Sequence, residues 1–301
     1  MKTRFRRLAL VLMIAFAVAV PVSAADAPPY WAYPVNPPGT QPVADDGKPR
    51  QVPGSAATFT LSQIRDLFAA PDWHPDDHPK TPDIVSIGRK PGVYACGYCH
   101  LPNGLGRPEN SSLAGLPVDY IIQQVAEFKS GARKSSEPAD LPVNFMITVA
   151  KAATDAEVRS AAEYFATLKP KPWIKVIEAA MVPKTRIIEI PEDLERTELR
   201  DARSPFIAYV PPGSIERGKA LVTNGGDEST ACGTCHGDDL RGLGSIPGLA
   251  GRSPSYLFRQ LYDMQQGVRG GAQSALMRPV VSQLTLDDMI AISAYAAAQA
   301  P

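Results

Sequence analysis

Ala95–His100 reads ACGYCH and Ala231–His236 reads ACGTCH, and these two stretches hold all four cysteines of the 301-residue chain. Two cysteines, two intervening residues and a following histidine, met twice, admit three chemistries. Four thiolates can hold one zinc ion. Each C-x-x-C can be a redox dithiol. Each C-x-x-C-H can attach a c-type haem through two thioethers, with the histidine as ligand to the iron.

The N-terminus bears on the choice. Lys2, Arg4, Arg6 and Arg7 precede an apolar run of 13 residues, Leu8 to Val20, and Val22-Ser23-Ala24 fits a small-residue cleavage site. This is the pattern of a secretory signal, and the run is shorter than the roughly 20 residues of a helical membrane span. Cleavage near Ala24 leaves a mature chain of 277 residues with no membrane anchor. Zinc knuckles and reducing dithiols belong mainly to the cytosol, and structural disulfides do not explain a histidine after each pair. Export therefore favours two covalently bound haem c groups, with Cys96, Cys99 and His100 at one and Cys232, Cys235 and His236 at the other. The mature chain carries 27 basic and 31 acidic residues, a net charge of −4, so no basic excess suggests nucleic acid.

The sequence after each motif repeats. SSLAGLPVDYIIQQVAEFKSGAR from Ser111 parallels PGLAGRSPSYLFRQLYDMQQGVR from Pro247, matching Tyr120 to Tyr256 and Arg133 to Arg269. After a shift of five residues, FMITVAKAATDAEVRSAAEYFATL parallels LMRPVVSQLTLDDMIAISAYAAAQ, matching Met146 to Met277 and Thr154 to Thr285. Apolar residues recur at helical spacing in both copies. Thr154 with Glu157 forms a capping box, Thr285 caps the partner helix, and Ser214 opens a helix ahead of the second motif.

This ordered set, present twice, resembles the class I cytochromes c in the tandem di-haem form of bacterial periplasms. The resemblance covers 82–170 and 213–301. It implies an all-α protein: signal 1–24, a proline-rich extension 25–81, one cytochrome domain at 82–170, a long, partly extended linker at 171–212, and a second domain at 213–301. His100 and His236 are then the proximal ligands, each held by a backbone carbonyl. In this family a proline supplies it, which fits Pro247, whereas the first copy has Ser111. Five methionines remain in the mature chain. Met264 and Met289 fall on helices and read as core, and Met181 lies beyond the first domain. Met146 and Met277, both expected in the loop before the final helix, are the candidate sixth ligands.

Other expectations are local. His74 and His78, in DWHPDDHP, read as a proline-locked surface loop, with a metal site beside Asp72, Asp76 and Asp77 as the sharper alternative. Tyr30, Trp31 and Tyr33 read as surface packing, and 61–70 as an amphipathic helix. Arg133 and Arg269 can pair with haem propionates. Lys129, Arg133, Lys134, Lys151, Arg259, Arg269 and Arg278 suggest a basic docking face. The linker is expected to pack across both domains, with extended pieces near Ile174 and Arg186–Ile190.

The resemblance implies a soluble periplasmic carrier moving single electrons between redox proteins, a dehydrogenase donor and an oxidase or other cytochrome as acceptor. The alternatives are a cytochrome subunit of a periplasmic dehydrogenase complex and, in another class, a di-haem cytochrome c peroxidase with one open iron.

Overall fold

The computed structural model describes residues 27–183, 189–226 and 230–301. The expected signal peptide and residues 186–188 of the extended piece expected at Arg186–Ile190 lie outside the described residues.

Chain order begins with α1 (Leu61–Ile64), α2 (Asp83–Ser86), α3 (Cys96–His100), α4 (Val118–Ser130), α5 (Leu141–Ala152) and α6 (Asp155–Thr167). The middle of the chain contributes β1 (Ile174–Glu178), β2 (Glu189–Pro191), α7 (Leu194–Glu198) and β3 (Phe206–Val210). It ends with α8 (Ser214–Asn224), α9 (Gly233–His236), α10 (Pro254–Gln265), α11 (Ala272–Val281) and α12 (Leu286–Ala298). The molecule is mostly helical, but it is not purely α. The linker strands form a three-stranded sheet of order β1-β3-β2, with β1 parallel and β2 antiparallel to β3.

Both final helices start as the sequence dictates. The Thr154 hydroxyl accepts from Glu157 N and the Thr285 hydroxyl from Asp288 N, and each acid reaches back to the threonine's own N–H. These reciprocal bonds satisfy backbone donors that a helix start otherwise leaves bare. Each copy centres on an apolar core: Tyr120, Ile121, Tyr164 and Phe165 in the first, Leu257, Phe258, Met264 and Met289 in the second. Met264 and Met289 are core residues, as the sequence pattern suggested.

Three expectations about the extension are corrected. Residues 61–70 form only one helical turn, because Leu67, Phe68 and Ala70 bond instead to Ala95, Gly88 and Ser86 through their backbones. Tyr33 is 1 % exposed and lies in the second core, its hydroxyl donating to Asp263 Oδ1 at 2.7 Å, while Trp31 packs on Phe258. The DWHPDDHP segment is only in part a surface loop: Pro75, Asp76 and Pro79 are exposed, but its aromatic residues point inward. Trp73 is buried and donates to the Leu199 carbonyl, and His74 is buried with Nε2 2.9 Å from Asp201 Oδ1. His78 sits between Asp72 and the Tyr164 hydroxyl. Among the described residues no His/Cys/Asp/Glu cluster has metal-binding geometry.

The linker packs across both copies, as expected. Trp173 belongs to the first core and donates to the Gly251 carbonyl of the second copy. Glu189 on β2 is buried and accepts from the Ser253 hydroxyl and from Ser255 N at the start of α10.

Candidate functional site

The two C-x-x-C-H stretches fold as the short helices α3 and α9. His100 Nδ1 lies 2.8 Å from the Ser111 carbonyl oxygen, and His236 Nδ1 lies 2.8 Å from that of Pro247. A carbonyl can only accept, so the proton resides on Nδ1 and the Nε2 lone pair is left free as a ligand. The serine at 111 does the work of a proline because the bond uses the backbone. Burial pushes both imidazoles below the ordinary histidine range, which keeps them in the neutral, ligating form.

The cysteines are unpaired. Desolvation pushes the Cys96 thiol up to about 12 and that of Cys232 up to about 11, and it raises Cys99 as well. A reactive dithiol needs a thiolate, which these surroundings disfavour, and among the described residues the thiols join no His/Cys/Asp/Glu cluster that could hold a metal ion. The surroundings suit thioethers, which carry no charge.

Around Cys96, Cys99 and His100 lies a cavity of about 1400 Å³, counting its open mouth. Met146 lines it too, along with apolar Ile121, Phe128, Val149, Val158 and Phe165. Met146 is on α5 and Met277 on α11, so neither stands in the loop expected from the sequence. Pro142 is compatible with the helix: Asp140 caps α5 through Val143 N, and Pro142 occupies its first turn, where no intrahelical N–H is required. Met277 packs with Cys232 against the second core.

Tyr256, Arg259, Gln260 and Asp263 of α10 also line the first cavity, so the second copy completes the wall of the first. The sequence carries no local signal for this, since these residues lie more than 100 positions from the motif they face. Arg133 and Arg269 meet across the junction through a backbone bridge. Arg133 donates to Gln124 and Gln260, both at 2.8 Å, and Arg269 to Tyr120 and Gln124, both at 3.1 Å. Burial works to raise the Tyr256 phenol, but the guanidiniums of Arg133 and Arg269 outweigh it and hold it at about 8. Arg133, Arg259 and Arg269 are all buried, which removes them from the expected basic docking face; Lys134, Lys151 and Arg278 stay exposed.

The donor set fits a haem. Two cysteines, an imidazole with a bare Nε2 and a thioether sulfur line one largely apolar cavity. Arg133, also on that wall, is a buried cation hydrogen-bonded to neutral groups, and such a charge calls for an anion such as a propionate.

The comparisons agree with this geometry. A thiosulfate dehydrogenase electron acceptor from Stutzerimonas stutzeri (strain A1501) is 30% identical over 211 residues, 69% of this chain and 80% of that protein. Cytochrome c4 of Azotobacter vinelandii is 25% identical over 66% of this chain and 82% of its own length. The chain belongs to the tandem di-haem class I cytochromes c. It carries two covalently bound haem c groups and is an electron carrier, not an enzyme. The cytochrome c4 structure of Acidithiobacillus ferrooxidans matches 67% of this chain and 98% of its own, with 25% identity and a TM-score of 0.50. Thiosulfate dehydrogenase (TsdBA) from Marichromatium purpuratum matches 69% of this cytochrome but only 37% of that longer chain, with 27% identity and a TM-score of 0.51. No family model matches the sequence. The peroxidase alternative falls with family membership, and its only spare histidines, His74 and His78, are engaged by Asp201 and Asp72. Among the described residues no helix is long and apolar enough to cross a membrane.

Proposed function

We propose that this cytochrome works in the periplasm after signal cleavage near Ala24, taking single electrons from a dehydrogenase and passing them to an oxidase or another cytochrome. The haem units span 82–170 and 213–301. Cys96, Cys99, His100 and Met146 hold the first haem, and Cys232, Cys235, His236 and Met277 the second. The observation that carries the assignment is the duplicated imidazole lock, Nδ1 to a backbone carbonyl at 2.8 Å in both copies.

When bound, each haem would supply a one-electron Fe(II)/Fe(III) couple, and Met146 and Met277 would be the residues whose thioether sulfurs hold it and raise its potential. The chain's own residues do the rest. The carbonyls of Ser111 and Pro247 fix the rings, the apolar wall keeps water back, and Arg133 offsets carboxylate charge. The acceptor function of the Stutzerimonas relative supports a dehydrogenase donor. A second reading, a subunit of a dehydrogenase complex, is favoured by the match to the thiosulfate dehydrogenase structure.

The test uses the denatured and the native holoprotein. The expected results are two covalent haems by mass and the near-infrared band of methionine-bound ferric haem at both sites. Met146→Ala and Met277→Ala should each remove about half of that band and open one iron to cyanide. Variants that leave the band intact would remove the methionine assignment.

A further inference from the structure

The two haem-motif helices differ in what covers them. Tyr98 on α3 is buried, and the Arg200 guanidinium lies 3.7 Å over its ring while donating to its carbonyl at 2.8 Å. Asn103 donates to the Ala202 carbonyl, and Ala95 N donates to the Leu67 carbonyl. A Cβ added to Gly97 would meet the Ala70 Cβ at 3.2 Å. Linker and extension together thus roof the first motif. On the second motif Thr234 and Cys235 are exposed, as are Asp238, Asp239, Arg241 and Leu243, the last at 62 %. The residue types follow the cover. Counting from each motif, the first copy has Tyr98, Pro102 and Leu105, all buried, where the second has Thr234, Asp238 and Arg241.

We propose that redox partners dock on the face of the second haem motif, around Cys235, Asp238 and Leu243, and that the first motif is closed to them. The proposal rests on the two-haem reading above. Cys235 is a thioether position in that reading, so an exposed Cys235 puts the edge of the second haem within reach of a partner. The face carries an exposed apolar Leu243 and the exposed acids Asp238 and Asp239; its one basic residue, Arg241, lies 3.9 Å from Asp239, so Asp238 is the acid with no ion pair among the described residues and the face stays net acidic. The partner it fits is a redox protein with an apolar patch at its own redox centre and a basic rim. Apolar contact and complementary charge of this kind give fast, weak, salt-sensitive encounters.

Mitochondrial cytochrome c, a basic redox protein, serves as the probe. Its ferric form is mixed in a stopped-flow instrument with the reduced holoprotein at low ionic strength. The double variant Asp238→Lys, Leu243→Lys should slow transfer at least tenfold. Glu195→Lys with Glu198→Lys, on the exposed side of α7 in the roof, should change it less than twofold. Equal slowing in both variants, slowing in the roof variant alone, or none in either would overturn the proposal. Haem counting on the same samples reports on the reading beneath it. Fewer than two covalent haems in the wild type would sink both readings, while a two-haem protein with no difference between the faces sinks only this one.

Discussion

The helix before the second haem motif, α8, has eleven residues, and its counterpart before the first, α2, has four. α8 packs along α12 so closely that a Cβ on Gly218 would overlap the Ala291 carbonyl oxygen and approach the Tyr295 Cβ to 2.8 Å. α2 packs mainly on α3 and the side of α6. The missing length is made good from elsewhere. Residues 67–70 bond to the backbone from Ser86 to Ala95, and a separate small core of Val52, Leu61, Ile64, Trp73 and Leu199 holds that segment down. The second copy keeps a full helix ahead of its motif and takes Tyr33 of the extension into its core, whereas the first copy borrows the cover of its motif from the extension and the linker. A repeated fold can lose one of its own helices when the same chain supplies the buried area from another segment.

That difference can be broken from either side. The largest effect is expected at Trp73, which is 2 % exposed, packs edge-on against Phe59 and donates to Leu199. Trp73→Ala should cost about 3–5 kcal/mol and strip the roof from the first motif. Limited proteolysis should then cut within 27–81, while the second haem keeps its spectrum. If both haems respond alike, the first copy does not depend on borrowed cover.

Next comes Gly218→Val. The neighbour it would strike is backbone, which cannot step aside, so about 1–3 kcal/mol or more should be lost. Here the second haem should become labile, read as lost near-infrared intensity and raised cyanide binding, and the first should not. Destabilisation of the first copy instead would mean that α8 supports the molecule as a whole.

What the sequence revealed follows the range of the interactions. The C-x-x-C-H motifs, the helical spacing of α4 and α10 and the boxes at Thr154 and Thr285 are local, and each stands where its pattern indicated. Met146 and Met277 were legible as a repeated pair but were expected in loops; both fall on helices, with Pro142 where a helix tolerates proline and Pro279 carried inside α11. The extension and linker were hardest to read. Tyr33 meets Asp263 across 230 positions and His74 meets Asp201 across 127, and no periodicity marks either end of such a pair. Extended structure was expected near Ile174 and Ile190, where β1 and β2 lie, but β3, which pairs with both, was not anticipated, and nothing local specifies its parallel partner at β1.

The smallest effect tests where the copies should be alike. Thr154→Ala and Thr285→Ala should each cost about 1 kcal/mol, and their costs should agree closely, because both caps are built the same way. In each, an arginine from ahead of the haem motif grips the capping acid: Arg89 holds Glu157 at 2.7 and 3.0 Å, and Arg217 holds Asp288 at 2.6 Å. The hydrogen bond from Arg89, then that from Thr154 N, brings the Glu157 carboxyl down to about 2. For Asp288, burial acts to raise the pKa, and the bonds from Thr285 and Arg217 outweigh it, so the net shift is downward. A carboxyl with a depressed folded pKa stabilises the native state above its unfolded value and loses that contribution as pH falls through the folded one. The advantage of wild type over Glu157→Gln should therefore be complete at pH 6, shrink below about 4.5 and be gone near 2. That over Asp288→Asn should likewise be complete at pH 6 and decline once the pH drops below the ordinary aspartate value. Urea unfolding at pH 6, 4 and 2.5 reads both. An Asp288 contribution that grew as the pH fell would show burial winning at that cap, and the two copies would then differ even in the element their sequences share most closely.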